Sequence, residues 1–100
     1  MAELHHLVLL KVRPDAAAGD VEAALVAVRA MRDQIDGVLD VIAGPDVSVE
    51  GLAGDHTHAV LVRFADEAAR AHYLEHPAHL AVGERMSKLV NGATVVDVAG

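Results

Sequence analysis

Apolar and polar positions along the chain change period several times, and each change marks an element. From Leu4 to Val12 the run Leu-His-His-Leu-Val-Leu-Leu-Lys-Val reads as a strand. His6, Val8, Leu10 and Val12 take one side of it, and His5, Leu7, Leu9 and Lys11 the other. Arg13 to Gly19 is a loop. Asp20 suits an N-cap, and Val21, Leu25, Val28, Met31 or Arg32, and Ile35 then recur at helical spacing. Gly37 supplies the left-handed residue that ends helices. Val38 to Ala43 is a second strand, and Gly44-Pro45-Asp46 opens a turn-rich connection reaching Asp55. Thr57 to Phe64 is a third strand, with His58, Val60, Val62 and Phe64 on one face. Asp66 suits the cap of a helix that stops at Pro77, because proline lacks an N–H and restricts the residue before it. A further helix starts at Pro77, where the missing N–H is harmless, and runs to about Val90. Asn91-Gly92 stops it, and Ala93 to Val98 is the closing strand.

The order βαββαβ predicts an α+β, ferredoxin-like fold: a four-stranded antiparallel sheet with the helices on one face. The other face ought then to be polar. Instead Leu7 and Leu9 oppose Val8 and Leu10, Leu61 opposes Val60 and Val62, and Val95 opposes Val96. Strands apolar on both faces are buried on both. A second copy's sheet is the most economical cover, so a face-to-face homodimer, a dimeric α/β barrel, is expected. Residues 1–100 make one domain, and a hydrophobic content of 53% argues against disorder. No run approaches the ~18 apolar residues of a membrane span, and Met-Ala-Glu-Leu-His-His does not resemble a signal peptide. The chain has no cysteine, which fits a cytoplasmic protein. A net charge of −7 argues against a phosphate-backbone footprint, so neither nucleic acid nor membrane is expected as a partner.

Candidate chemistry concentrates in His72-Tyr73-Leu74-Glu75-His76-Pro77-Ala78-His79, which holds three of seven histidines and the only tyrosine. In the helix after Pro77, His79 shares a face with Val82, Met86 and Leu89, the apolar stripe of a helix against a core. It should therefore point inward. If the His6 face of the first strand looks toward the helices, the two imidazoles and the Tyr73 hydroxyl meet in one cavity. Such a group could move a proton next to a carbonyl and hold the oxyanion that develops. The plainer alternative keeps both histidines structural, His79 capping a backbone carbonyl near the break. Either way the pocket between helices and sheet would be walled by Val8, Leu10, Leu25, Val28, Val60, Val62, His76, Val82 and Met86, suiting a small, largely apolar ligand. His56 with His58 on a strand face, or His72 with His76 at i,i+4, could chelate a metal, but no third ligand is fixed, and no metal site is expected. Ser48 and Ser87 have no nucleophile motif around them, and no Gly-rich phosphate loop is present.

The chain resembles the stress-responsive dimeric α/β-barrel (Dabb) domain family. The resemblance lies in His6-Leu7-Val8-Leu9-Leu10-Lys11, Gly44-Pro45-Asp46-Val47-Ser48, Thr57 to Asp66, and Tyr73-Leu74-Glu75-His76-Pro77-Ala78-His79, in that order over nearly the whole chain. It implies the dimeric fold. Many members are stress-induced proteins without an assigned reaction, and others are enzymes. The chain is similar to olivetolic acid cyclase-type members at His6, Tyr73 and His79, whose counterparts promote an aldol closure without metal or cofactor. The resemblance thus implies His79 as base with His6 and Tyr73 as polar partners, and no cofactor. Ala24, Leu25, Val28, Met86 and Leu89 depart from it, since a flat aromatic substrate would favour aromatic walls. Two further possibilities stand beside this one: a non-catalytic stress or binding protein, and a cofactor-free monooxygenase of related fold.

Overall fold

The computed structural model describes residues 2–100, so Met1 of the expected 1–100 domain lies outside the described residues. Its elements are β1 (Leu4–Val12), α1 (Ala18–Gln34), β2 (Val38–Pro45), β3 (His58–Phe64), α2 (Glu67–Glu75), α3 (Pro77–Ser87) and β4 (Val90–Ala99). The four strands form one antiparallel sheet in the order β2-β3-β1-β4. This is the ferredoxin-like arrangement, with the helical layer on one face.

Strand alternation decides what each face carries. Leu4, His6 and Leu10 of β1 and Val60, Val62 and Phe64 of β3 point under the helices and are buried. Phe64, Met31 and Val62 are the largest side chains wholly removed from solvent. Helix α1 contributes Ala24, Leu25, Val28 and Met31, so at the ambiguous position methionine rather than Arg32 faces inward. A charged group there would face a low-dielectric core unpaired.

Three boundaries differ from the sequence reading. Helix α1 begins at Ala18, two residues before Asp20, with Ala17 as the N-cap residue and Asp20 in the first turn. There its carboxylate complements the helix dipole without capping. Strand β2 continues through Pro45, which pairs with His58; β2 is a sheet edge, where a residue lacking N–H is tolerated. Helix α3 ends at Ser87, and Asn91-Gly92 lie inside β4. Gly92 pairs with Lys11 and Val90 with Val12, past a register shift between Lys11 and Val12, so strand pairing overrides the local stop signal.

Gly37 joins α1 to β2 at φ +88°, and a Cβ built on it would lie 2.6 Å from the Ala69 Cβ. This close approach seats α2, which carries Tyr73, against the turn. The Gly37 carbonyl also accepts from Ala65 N at 3.0 Å. Gly37→Ala combines left-handed strain, about 1–2 kcal/mol, with a clash that α2 must move to relieve. It is expected to lower the urea midpoint well beyond that strain alone, with an unchanged m-value.

Candidate functional site

A break in the helical layer builds the site. The Asp66 side chain accepts from Ala69 N at 2.8 Å and starts α2, placing Ala69 and Tyr73, one turn apart, on its buried face. His76 ends α2 and begins α3, its Nδ1 accepting from Ala78 N at 3.0 Å, with Pro77 in the first turn. In an unbroken helix Tyr73 and His79 would face about 120° apart. The break turns α3 so that the two rings lie 4.1 Å apart, centroid to centroid, tilted by 33°. From the sheet below, the His6 ring lies 5.8 Å from Tyr73 and the same distance from Phe64.

His6, Tyr73 and His79 line one cavity of about 330 Å³ between sheet and helices. Of the expected wall, Val8, Leu10, Val28, Val60, Val82 and Met86 line it too. Leu25, Val62 and His76 do not. Leu25 and Val62 pack within the core away from the cavity, while His76 spends its ring nitrogen capping α3. Met31, Leu74, Gly83 and Val95 complete the lining without having been anticipated there. Helix α3 reaches β4 only sparsely, and Val95 on that strand is 56% exposed, so the cavity opens along the β4 edge.

The most consequential residue missed in the sequence is Asp97. It sits opposite His6 in the β1–β4 register, and His6 Nδ1 donates to its Oδ1 at 2.6 Å. Arg70 of α2 donates to the other oxygen at 2.9 Å. Burial alone would raise the Asp97 carboxyl, but the His6 hydrogen bond and charge and the Arg70 guanidinium together hold it below the usual carboxylate range. With Nδ1 committed to Asp97, His6 offers Nε2 to the cavity. A lone carboxylate between Val96 and Val98 was the available signal, since a charge on an apolar strand needs a partner.

The other two groups are tuned by burial. Desolvation, with the Asp97 charge behind it, pushes the Tyr73 hydroxyl up to about 12, so it remains a donor at neutral pH. Desolvation lowers His79 from the ordinary value of 6.5; the Leu74 backbone opposes this and the nearby His6 reinforces it. His79 Nδ1 is buried, and no group among the described residues meets hydrogen-bond geometry with it. Leu74 influences the ring without satisfying that nitrogen. Burial thus favours the neutral form of His79, which lines the cavity.

The remaining histidines lie outside the cavity, with His5 Nε2 meeting the Gly100 carbonyl at 2.8 Å. His56 precedes β3 rather than sharing its face with His58; its ring contacts the Ala53 carbonyl and Thr94 Oγ1. His58 Nδ1 meets Thr57 Oγ1, and the His72 and His76 rings meet edge-on at 5.3 Å. Among the described residues no three histidine, aspartate or glutamate side chains come together as metal ligands would, and no helix is long and apolar enough to cross a membrane.

Fold and cavity define a ferredoxin-like domain with a pocket lined by two histidines and a tyrosine under its helices. The family model described as Stress responsive A/B Barrel Domain (Dabb) matches residues 4–99, and the chain belongs to this family. No curated protein matches its sequence. Among solved structures, a dimeric ferredoxin-like protein of unknown function from Jannaschia sp. CCS1 is 26% identical, with a TM-score of 0.84 over 96% of this chain and 97% of that one. A second dimeric ferredoxin-like protein of unknown function, from Thermobifida fusca, is 19% identical, with a TM-score of 0.85 over 99% and 92%. A hydroxynitrile lyase from Passiflora edulis is 15% identical, with a TM-score of 0.90 over 98% and 93%. At the last two identities the likeness is one of fold.

Proposed function

We propose that this Dabb protein binds a small, neutral, largely apolar carbonyl compound and catalyses proton transfer beside its carbonyl group. The observation that carries this reading is the arrival of His6, Tyr73 and His79 at one cavity, from a strand and from both sides of a helix break. In the proposed step His79 Nε2 takes a proton from the carbon next to the carbonyl. The C–H electron pair becomes a C=C bond while charge moves to the carbonyl oxygen, where the Tyr73 O–H donates a hydrogen bond. His6, oriented by Asp97, supplies a second polar group that can receive or return a proton. The same parts serve an aldol-like closure or its reversal, and the Passiflora neighbour named as a hydroxynitrile lyase is one protein of this fold with lyase activity. An anionic ligand suits the site poorly, because Arg70 is already paired with Asp97 and the Asp97 charge lies beside the cavity.

The functional unit in this proposal is a homodimer joined through the open sheet face, as the two neighbours described as dimeric suggest. The test of the chemistry is hydrogen–deuterium exchange. Incubated with 2-heptanone in D₂O near neutral pH, the protein should accelerate exchange at C1 and C3 above the buffer rate, followed by NMR. Exchange at the buffer rate, with the ketone bound, would sink the catalytic reading and favour a binding protein.

A further inference from the structure

The connection between β2 and β3 is a hydrogen-bonded arm whose apolar side chains pack on nothing. Its base is closed by Asp46 N, which donates to the Thr57 carbonyl at 2.8 Å. Inside that closure the Asp46 carboxylate accepts from Ser48 N at 3.0 Å, and the His56 ring meets the Ala53 carbonyl at 2.9 Å. Yet Val47, Val49 and Leu52 are 85%, 96% and 81% exposed. Single exposed apolar residues are ordinary, whereas three grouped in one fixed loop mark a surface that meets something.

The open face of the sheet offers a complementary shape beside the arm. There the registers align Gly44, Ala59, Leu9 and Thr94 in one row across the four strands. All but Leu9 are small, while the next row carries the bulkier Ile42, Leu61, Leu7 and Val96. The step between the rows leaves a hollow of about 340 Å³ over Leu9 and Ala59, walled by Leu52 and His56 from the arm's returning half. The His56 ring also reaches Thr94 Oγ1 at 3.3 Å. The returning half thus lies over its own sheet, and Val47 and Val49 take no part in that contact.

We propose that the arm is a clasp between two copies of this chain, Val47 and Val49 of each copy entering the hollow over Leu9 and Ala59 of the other. This rests on the homodimer reading above, not on the carbonyl chemistry, and adds to it the element that fixes how the two sheets align. A two-fold interface requires each copy to offer both halves of every contact, and a ridge and a hollow on one molecule meet that requirement. The arm leaves β2 directly after Ile42 and Gly44, so its apolar residues continue the open face rather than forming a separate patch. Between Pro45 and His58 the charges are Asp46, Glu50 and Asp55, with no lysine or arginine. Such an arm repels nucleic acid and anionic lipid, and a second copy's apolar face suits it.

Because the chain has no cysteine, single introduced cysteines report the contact without background. Val49→Cys and Ala59→Cys proteins are prepared separately, mixed to exchange subunits, oxidised mildly and run on a non-reducing gel. The mixture is expected to form covalent dimer about tenfold faster than either protein alone, since a disulfide needs Cα atoms within about 7 Å of each other. A second variant, Val47→Ser with Val49→Ser, changes only side chains that face solvent in the single chain, so its circular dichroism spectrum should match the wild type. Its dimer dissociation constant, measured by sedimentation, should rise by about tenfold or more. If the mixture cross-links no faster than the separate proteins, or the serine variant dimerises as tightly as the wild type, the arm is not a clasp, although a dimer through the sheet face stands. A wild type that sediments only as a monomer removes the dimer reading and the clasp with it.

Discussion

Leu61→Asp is expected to turn a dimer into a folded monomer. On the open face the strand registers align Ile42, Leu61, Leu7 and Val96 as one apolar row across all four strands. Ile42 and Val96 at its ends are 60% and 52% exposed, an uncovered apolar surface of the kind that marks an interaction site. In a two-fold interface each substitution enters twice. An unpaired buried charge costs about 3–5 kcal/mol, so dissociation should rise by more than about a thousandfold. Leu61 points away from the helices, so the core of Phe64, Met31 and Val62 is untouched, and the circular dichroism spectrum should be retained. Light scattering gives the mass. A Leu61→Asp protein that remains a folded dimer would place the interface elsewhere.

That face was legible as apolar because alternation is a local property: leucines and valines on adjacent strand positions put apolar side chains on both surfaces of the sheet. Alternation grouped His6 with Val8 and Leu10 but left open which face of β1 the helices cover, since both faces are apolar; the structure puts the His6 face under the helices. Pro77 announced the break that brings His79 over Tyr73, since its effect on the backbone is intrinsic. Asp97 was not legible in the same way. Its pairing with His6 depends on the register between β1 and β4, a long-range property that neither strand's own pattern fixes. Leu25 and Val62 show a second limit. Periodicity tells which side of an element a residue takes, whereas whether that side meets packed atoms or a cavity depends on how α3 sits over the sheet.

His79→Ala should cost little stability and nearly all turnover, and this contrast separates a catalytic histidine from a structural one. Since Nδ1 has no hydrogen-bond partner among the described residues, the substitution forfeits chiefly the ring contact with Tyr73, worth about 0.5–1.5 kcal/mol. Loss of a positioned general base lowers the rate by about 10²–10⁴-fold, so ketone exchange per folded molecule should fall by that factor. pH supplies an independent signature. Burial holds the folded-state value of His79 below 6.5, so the acid limb of the wild-type exchange profile should lie below pH 6.5. The same shift bears on stability: below pH 6.5 the unfolded chain takes up a proton at His79 that the folded protein resists. The unfolded state then binds more protons, so stability declines as pH falls from 6.5 through the folded-state value. His79→Ala should remove that part of the decline in thermal melts across this window. Asp97→Asn, acting through the orientation of His6, should slow exchange and leave the acid limb in place. A His79→Ala protein that exchanges ketone protons at the wild-type rate would mean that His79 is not the base, whatever its position in the cavity.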